Sequence, residues 1–144
     1  LIESGADFET VVEKAELYSR HTHVVFALSS FNNLVKNGRM SKIVGFVANK
    51  LGFWGIGIGS EQGTIEIKQK IRGSKKALDA IIEDMKERGY NCGKVVISHC
   101  RNAEFAESVK SAIQSVWDKA EVKIVHARGL CSYYAEKGGL IIGF

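Results

Sequence analysis

Several basic side chains stand where they could bind an anion. Arg39 follows Gly38, which stops a short predicted helix, and Arg72 stands where a predicted strand runs into a helix. A guanidinium group is always charged and can hold an oxyanion through two parallel hydrogen bonds. A helix N-terminus attracts anions through its free amides and its dipole, and Lys75 and Lys76 add positive charge there. The sequence therefore predicts contacts with a carboxylate, a phosphate or an acidic protein surface; an exposed, solvated basic cluster is the alternative interpretation.

His99 ends a predicted strand, at the kind of sheet edge where α/β proteins place their sites. We favour a structural histidine that is hydrogen-bonded to the backbone. The other histidines, His21, His23 and His126, have no mutual spacing typical of a metal site, so we predict no metal. Adjacent residues of a strand point to opposite faces, which argues against a catalytic pair of His99 and Cys100.

The segment Gly55-Ile56-Gly57-Ile58-Gly59 has part of the spacing of a nucleotide-binding loop. It lacks the later glycine, and a predicted hairpin follows it where a phosphate loop needs a helix N-terminus. We interpret it as a strand whose small residues let another group, such as an acyl chain, pass closely. No Ser-His-Asp signature and no paired-carboxylate motif stands out elsewhere.

Length and composition predict one ordinary globular domain. The chain has 144 residues, of which 45% are hydrophobic and 25% charged, and no apolar run of about 18 residues suggests a membrane span. A net charge of +4 suits an anionic partner, but the basic residues are too scattered to indicate nucleic acid. Cys92, Cys100 and Cys131 lack CxxC spacing, which favours free thiols in a reducing cytoplasm. The start, Leu1, carries no initiator methionine and no signal-peptide pattern, which indicates a fragment or a processed start.

Hydrophobic periodicity and capping residues predict alternating helices and strands. In chain order they are a helix capped by Asp7 that fades near Arg20, a strand over 22–28 buried on both faces, a short helix capped by Ser29 or Ser30, a second short helix over about 41–50, a hairpin of strands 53–59 and 64–71, a helix capped by Ser74, a strand over 94–99, a long helix capped by Asn102, a strand over 121–126, a short helix or connection over 128–137 and a final strand over 140–144. This order predicts an α/β fold, a mixed β-sheet with helices on both faces and one inserted β-hairpin.

Four stretches together resemble the second domain of the DegV family, in the right order and at about the right spacing. They are 26–40, where Asn37-Gly38-Arg39-Met40 stands at a Gly-Gly-Arg-Ile-like turn; the hairpin running into 70–78; the strand 96–99 ending in histidine; and 129–144, where the family has Ala-His-Thr-Gly-Pro-Gly before an apolar strand. The resemblance covers nearly the whole chain. It implies that residues 1–144 form a single domain, corresponding to the C-terminal domain of a DegV-like protein, and that the family's N-terminal domain is absent from this chain.

The resemblance also implies a function. An intact DegV-like protein would bind one long-chain fatty acid between its two domains and present the carboxylate to a separate fatty acid kinase subunit, which makes acyl phosphate. It would be a carrier without a cofactor, not the catalyst. Arg39, Arg72 and Tyr134 become the candidates for the ligand head group or for kinase docking, with His99, Lys75 and Lys76 as secondary candidates.

The departures from the family pattern concern the head group. Tyr134 stands where the family usually has a histidine, and Gly55, Gly129 and Lys137 replace prolines. A tyrosine can donate a hydrogen bond to a carboxylate or acyl phosphate, but it is not cationic and does not titrate near neutral pH. Three alternatives stay open: a domain for another small anionic or apolar ligand, a phosphotransfer module related in fold to dihydroxyacetone kinase with a phosphohistidine at His99 or His126, and a plain interaction domain.

Overall fold

The computed structural model describes residues 1–40, 52–60 and 64–144, so the helix predicted over 41–50 lies outside the described residues. The described elements follow the predicted order, with bounds within two residues of most predictions. After a 3-10 turn (Ile2–Ser4) they are α1 (Phe8–Arg20), β1 (Val24–Leu28), α2 (Asn32–Lys36), β2 (Phe53–Gly59), β3 (Ile65–Arg72), α3 (Ser74–Glu87), β4 (Lys94–His99), α4 (Ala103–Val116), β5 (Glu121–His126), α5 (Gly129–Ala135) and β6 (Leu140–Gly143).

In the described part of the chain, one six-stranded sheet has the order β3-β2-β1-β6-β4-β5. Strands β4 and β5 are parallel, and the other neighbouring strands are antiparallel. The predicted hairpin is the β2–β3 pair at one edge, with a register irregularity between Ile56 and Gly57. The predicted mixed sheet is therefore confirmed.

One face of the sheet carries the larger hydrophobic core. Helices α3 and α4 pack on it through alternate apolar positions, because side chains of a strand alternate between faces while those of a helix recur every three or four residues. Fully buried members include Val25, Ile56, Ile97 and Ile142 from the strands and Ile81, Met85, Val109 and Ile113 from the helices. Burying one such side chain contributes roughly 1.5–3 kcal/mol, so this face supplies most of the packing free energy.

The opposite face is covered less completely. Helices α2 and α5 lie there over a smaller buried cluster, which consists of Phe26, Leu28, Phe31, Leu34 and Ala135. Helices therefore lie on both faces, as predicted. Helix α1 carries no buried residue.

The predicted helix caps are partly wrong. Asp7 caps α1 as predicted, since its Oδ1 accepts from the Thr10 amide at 2.8 Å. Ser74 does not cap α3: it is the first helical residue, and the cap position belongs to Gly73, whose φ of 92° favours glycine. Asn102 does occupy the cap position of α4, but its side chain makes no cap hydrogen bond and donates instead to the Gly138 carbonyl at 2.7 Å.

Neither Ser29 nor Ser30 caps α2. Their hydroxyls donate instead to the segment after α5, Ser29 to the Lys137 carbonyl at 3.2 Å and Ser30 to the Glu136 carboxylate at 2.6 Å. The α2 amide of Asn33 donates to Glu136 Oε1 at 2.8 Å. A carboxylate more than a hundred residues away in sequence thus takes the capping role.

Candidate functional site

An apolar groove of about 210 Å³ lies on the less covered face of the sheet. Its walls come from four elements of the sheet and from the two helices above it: Val24, Phe26 and Leu28 of β1, Gly59 of β2, Ile65 of β3, Ile141 of β6, Leu34 of α2, and Tyr134 and Ala135 of α5. The groove is open to solvent, because Val24 and Ile65 remain 41% and 38% exposed. Uncovered apolar surface of this shape is suited to an apolar ligand or partner.

Glycines of β2 shape the floor next to the groove. A Cβ on Gly55 would collide with the ring of Phe31, and one on Gly57 would collide with the Glu66 carbonyl and lie 2.5 Å from Phe26 Cζ. The groups that pass closely over these two glycines are therefore the protein's own aromatic rings, which corrects the interpretation of an acyl chain at those positions. Among the three glycines of β2, only Gly59, which borders the groove, would accept an added Cβ without any atom within 4 Å of it.

Arg39 and Tyr134, two predicted site residues, are brought together at the groove. Arg39 Nε donates to the Tyr134 hydroxyl at 3.0 Å, and its Cζ lies 5.0 Å from the centre of the tyrosine ring. The guanidinium has five N–H donors, and the phenol that accepts this bond still has its own hydrogen to donate. The pair therefore offers positive charge and several donors to a carboxylate or phosphate next to an apolar wall.

Helices α2 and α5 are joined by side chains along their length, which fixes the position of this pair. Asn33 Nδ2 donates to the Tyr133 carbonyl at 2.7 Å, and Asn37 Nδ2 donates to the Tyr133 hydroxyl at 3.0 Å. After Gly38, with a φ of 68°, the Arg39 amide donates back to the Leu34 carbonyl at 2.9 Å. These hydrogen bonds thus fix the positions of Leu34, which lines the groove, and of Arg39 relative to α5.

Glu136 is a residue of this site that sequence reasoning missed. Its carboxylate accepts hydrogen bonds from the Ser30 hydroxyl and from the Asn33 amide at the start of α2. Its backbone has a φ of 53° and a ψ of 178°. That region is essentially restricted to glycine and costs about 1–3 kcal/mol for another residue. The signal that could have revealed it is an acidic residue where the resembled Ala-His-Thr-Gly-Pro-Gly segment has glycine.

Arg72, Lys75 and Lys76 lie apart from the groove. They are exposed at the junction of the edge strand β3 with α3. Within the part of the chain that the structure describes, no hydrogen bond or ion pair joins this basic cluster to Arg39 or Tyr134. The six predicted site residues thus occupy three separate places: the groove, the β3–α3 junction and the end of β4.

His99, at the end of β4, has the predicted structural role. It is 3% exposed, and its Nδ1 accepts from the Asn102 amide at 3.1 Å, which confirms the histidine hydrogen-bonded to backbone. Parallel pairing of β4 with β5 places its ring 4.5 Å from that of His126. Burial, and secondly the nearby His126, lower the pKa of His99, so the ring stays neutral. Over residues 1–40, 52–60 and 64–144, no group of three or more His, Cys, Asp or Glu side chains could hold a metal ion.

A larger, more polar cleft of about 530 Å³ lies at the end of the sheet where β1 and β4 begin, the end opposite to His99. Two of its basic residues lie at the C-terminal ends of helices. His21 Nδ1 donates to the Leu17 carbonyl at 2.7 Å at the end of α1, and Arg88 pairs with Asp84 at 2.8 Å at the end of α3. The helix dipole stabilises a cation at a helix C-terminus, so the position of Arg88 is explained without a bound anion.

None of the described helices has both the length and the apolar character needed to cross a membrane.

Comparisons with known proteins converge on one family. A family model described as "Uncharacterised protein, DegV family" matches residues 1–144. A DegV domain-containing protein of Streptococcus pyogenes serotype M1 is 43% identical over 144 residues, which are 100% of this chain and 51% of that protein. The chain thus spans about half the length of the curated relatives it matches.

Solved structures agree with this match. The Streptococcus pneumoniae fatty acid kinase (Fak) B3 protein, crystallised with linoleic acid, has a TM-score of 0.95 and 40% identity, over 100% of this chain and 51% of its own. A DegV family protein from Eubacterium eligens, loaded with heptadecanoic acid, has a TM-score of 0.93 and 38% identity, over 99% of this chain and 51% of its own. Both similar proteins therefore carry this α/β fold and were crystallised with a long-chain fatty acid.

Proposed function

Because this chain belongs to the DegV family, we propose that its 144 residues form a single domain, the C-terminal half of a fatty-acid-binding carrier. Two findings support this proposal. The chain matches about half of each relative, and the fatty-acid-loaded proteins of Streptococcus pneumoniae and Eubacterium eligens share its fold at 40% and 38% identity. The proposal concerns the intact protein, by which we mean the natural polypeptide in which this chain occurs.

The observation that carries the proposal is an apolar groove, open to solvent in this chain, with Arg39 and Tyr134 beside it. Burial of each methylene of an acyl chain contributes about 0.8 kcal/mol, so a groove walled by Phe26, Leu28 and Ile141 favours a long alkyl chain. The carboxylate would accept hydrogen bonds from the Tyr134 hydroxyl and the Arg39 guanidinium. These groups bind and orient the head group, and the protein acts as a carrier without a cofactor.

We further propose that the carboxylate is presented to a separate fatty acid kinase subunit in the cytoplasm, which converts it to acyl phosphate. The name of the Streptococcus pneumoniae relative supports a link with a fatty acid kinase. Arg72, Lys75 and Lys76 form an exposed basic cluster that would attract an acidic surface of this partner. His99, which is buried at the end of β4, would support the fold there and not contact the ligand.

Native mass spectrometry of the intact protein as purified tests the carrier proposal. We expect one long-chain fatty acid per chain, which solvent extraction then identifies, because the burial of many methylenes would hold the acyl chain through purification. The control is the same protein after delipidation, which should regain the mass when soaked with oleic acid. An apo mass that stays unchanged after soaking with several fatty acids would reject the carrier function and favour a different ligand.

Neutralising the basic cluster tests kinase docking separately. The triple variant R72Q/K75Q/K76Q should slow acyl-phosphate formation by the kinase about tenfold at low salt while retaining the fatty acid, because rim charges mainly affect encounter rates. The matched control K14Q/K119Q/K123Q removes the same charge from other exposed positions and should leave the rate near that of the unsubstituted protein. Equal slowing in both variants would indicate an effect of net charge and no specific docking surface.

A further inference from the structure

The backbone of Glu136 is held in a conformation that other residues avoid. It is one of two non-glycine residues with positive φ among the described residues, and its φ and ψ of 53° and 178° fall where glycine is the normal occupant. A strained residue of this kind persists only when its surroundings determine its position. The hydrogen bonds of Glu136 show which surroundings do so.

The Glu136 carboxylate is fully engaged with the segment that begins α2. Oε2 accepts from Ser30 Oγ at 2.6 Å, and Oε1 accepts from the Asn33 amide at 2.8 Å. The side-chain Nδ2 of Asn32 donates to Ser30 Oγ at 3.0 Å and to Glu136 Oε2 at 3.4 Å. These charge-assisted bonds tie the first turn of α2 to the residue that directly follows α5.

Helices α2 and α5 position Arg39 and Tyr134, the two residues proposed to bind the head group. Helix α2 leads through Gly38 into Arg39, whose amide returns to Leu34, and α5 carries Tyr134. A shift of α2 along α5 would therefore move the guanidinium relative to the phenol. A series of hydrogen bonds thus joins the two helices. The bond from the Asn33 amide to Glu136 lies at one end, the bonds from Asn33 and Asn37 to Tyr133 lie between, and the bond from Arg39 to Tyr134 lies at the other end.

We propose that Glu136 is a positioning residue for the head-group site: its carboxylate sets α2 against α5 and thereby aligns Arg39 with Tyr134. The consequence for a fatty acid rests on the proposed function, whereas the alignment itself belongs to the ligand-free protein. The backbone strain at Glu136 is retained because glycine, which would relieve it, has no carboxylate to bond α2.

The alignment can be measured without a ligand. Because Arg39 stacks on the ring of Tyr134, its side-chain protons should show ring-current shifts in NMR spectra of the intact, ligand-free protein. The variant Y134L removes the ring and defines the unshifted position. We expect E136A and E136G to move the Arg39 shifts most of the way toward that position, and E136Q, which keeps one acceptor oxygen, to retain most of the shift. E107A, an exposed acid on α4, is the control and should change nothing.

The glycine variant separates positioning from stability. E136G relieves the backbone strain, so its urea midpoint should equal or exceed that of E136A, while its Arg39 shifts are still lost and its affinity for oleic acid falls about five- to tenfold. Unchanged Arg39 shifts in both E136A and E136G would overturn the proposal, and if E136A does not fold, E136G and E136Q decide it. If the shifts change as expected but the unsubstituted protein binds no oleic acid, the proposed function fails and the positioning role stands.

Discussion

Leucine in place of Gly59 is expected to weaken oleic acid binding to the intact protein about fiftyfold without unfolding it. Gly59 borders the apolar groove, and an added Cβ there meets no atom within 4 Å, so the new side chain is free to occupy the space of the ligand. If it displaces three methylenes, the loss is about 2.4 kcal/mol, which corresponds to the expected factor. Gly59 also lacks a positive φ, so the backbone accepts leucine without strain.

The measurement is a binding titration of the delipidated protein with oleic acid, accompanied by a urea unfolding curve. Q69L is the matched control, since Gln69 lies on the same hairpin, opposite Ile56, whose side chain belongs to the core on the other face of the sheet. It should bind as the unsubstituted protein does. A G59L protein with a normal unfolding curve and normal affinity would show that the acyl chain does not occupy this groove.

Alanine in place of Gly57 is expected to lower the free energy of unfolding by about 3 kcal/mol, the upper part of the range for overpacking a core. The new Cβ would collide with the Glu66 carbonyl, and it would lie 2.5 Å from Phe26 Cζ. The carbonyl is backbone of the paired strand β3 and cannot rotate away, so the collision with it persists even if the ring of Phe26 turns toward the groove. Strands β2 and β3 must therefore separate locally, which weakens the hairpin.

Urea unfolding followed by tryptophan fluorescence measures this loss as a lower midpoint at an unchanged m-value. The variant G59A is a close control, because it makes the same substitution two residues along the same strand where the Cβ meets no atom within 4 Å. It should change the midpoint little. Similar losses in both variants would contradict the close approach of Phe26 and Glu66 to Gly57.

The order of elements could be predicted because each leaves a local periodic signal. The alternation in β3 and the apolar positions of α3 and α4 depend only on neighbours in sequence, and their bounds were predicted closely. Caps were predicted less well. A serine before a helix indicates a cap only if no distant group competes for the same amide, and at α2 the Glu136 carboxylate takes the Asn33 amide.

The candidate site could be predicted only in part. The family resemblance named Arg39 and Tyr134, but their contact depends on how α2 packs against α5, which no spacing in sequence records. The same limit applies to His99 and His126, whose rings meet because β4 and β5 are parallel neighbours in register. Periodicity also does not distinguish a core residue from a groove wall, since Phe26 belongs to the buried cluster under α2 and α5 and also lines the groove.

Strands β1 and β6, which are far apart in sequence, are neighbours in the middle of the sheet. Val25 of β1 pairs with Ile142 of β6, and β6 in turn pairs with β4, so the four residues of β6 are the bridge between the β3-β2-β1 half and the β4-β5 half. The hairpin can form from local contacts, but the β1–β6 pairing must close a loop of nearly the entire chain, at a cost in chain entropy. Contacts between residues far apart in sequence slow folding, so the pairing of β6 is expected to be a slow step. The same strand joins the two halves of the sheet and contributes Ile141 to the groove.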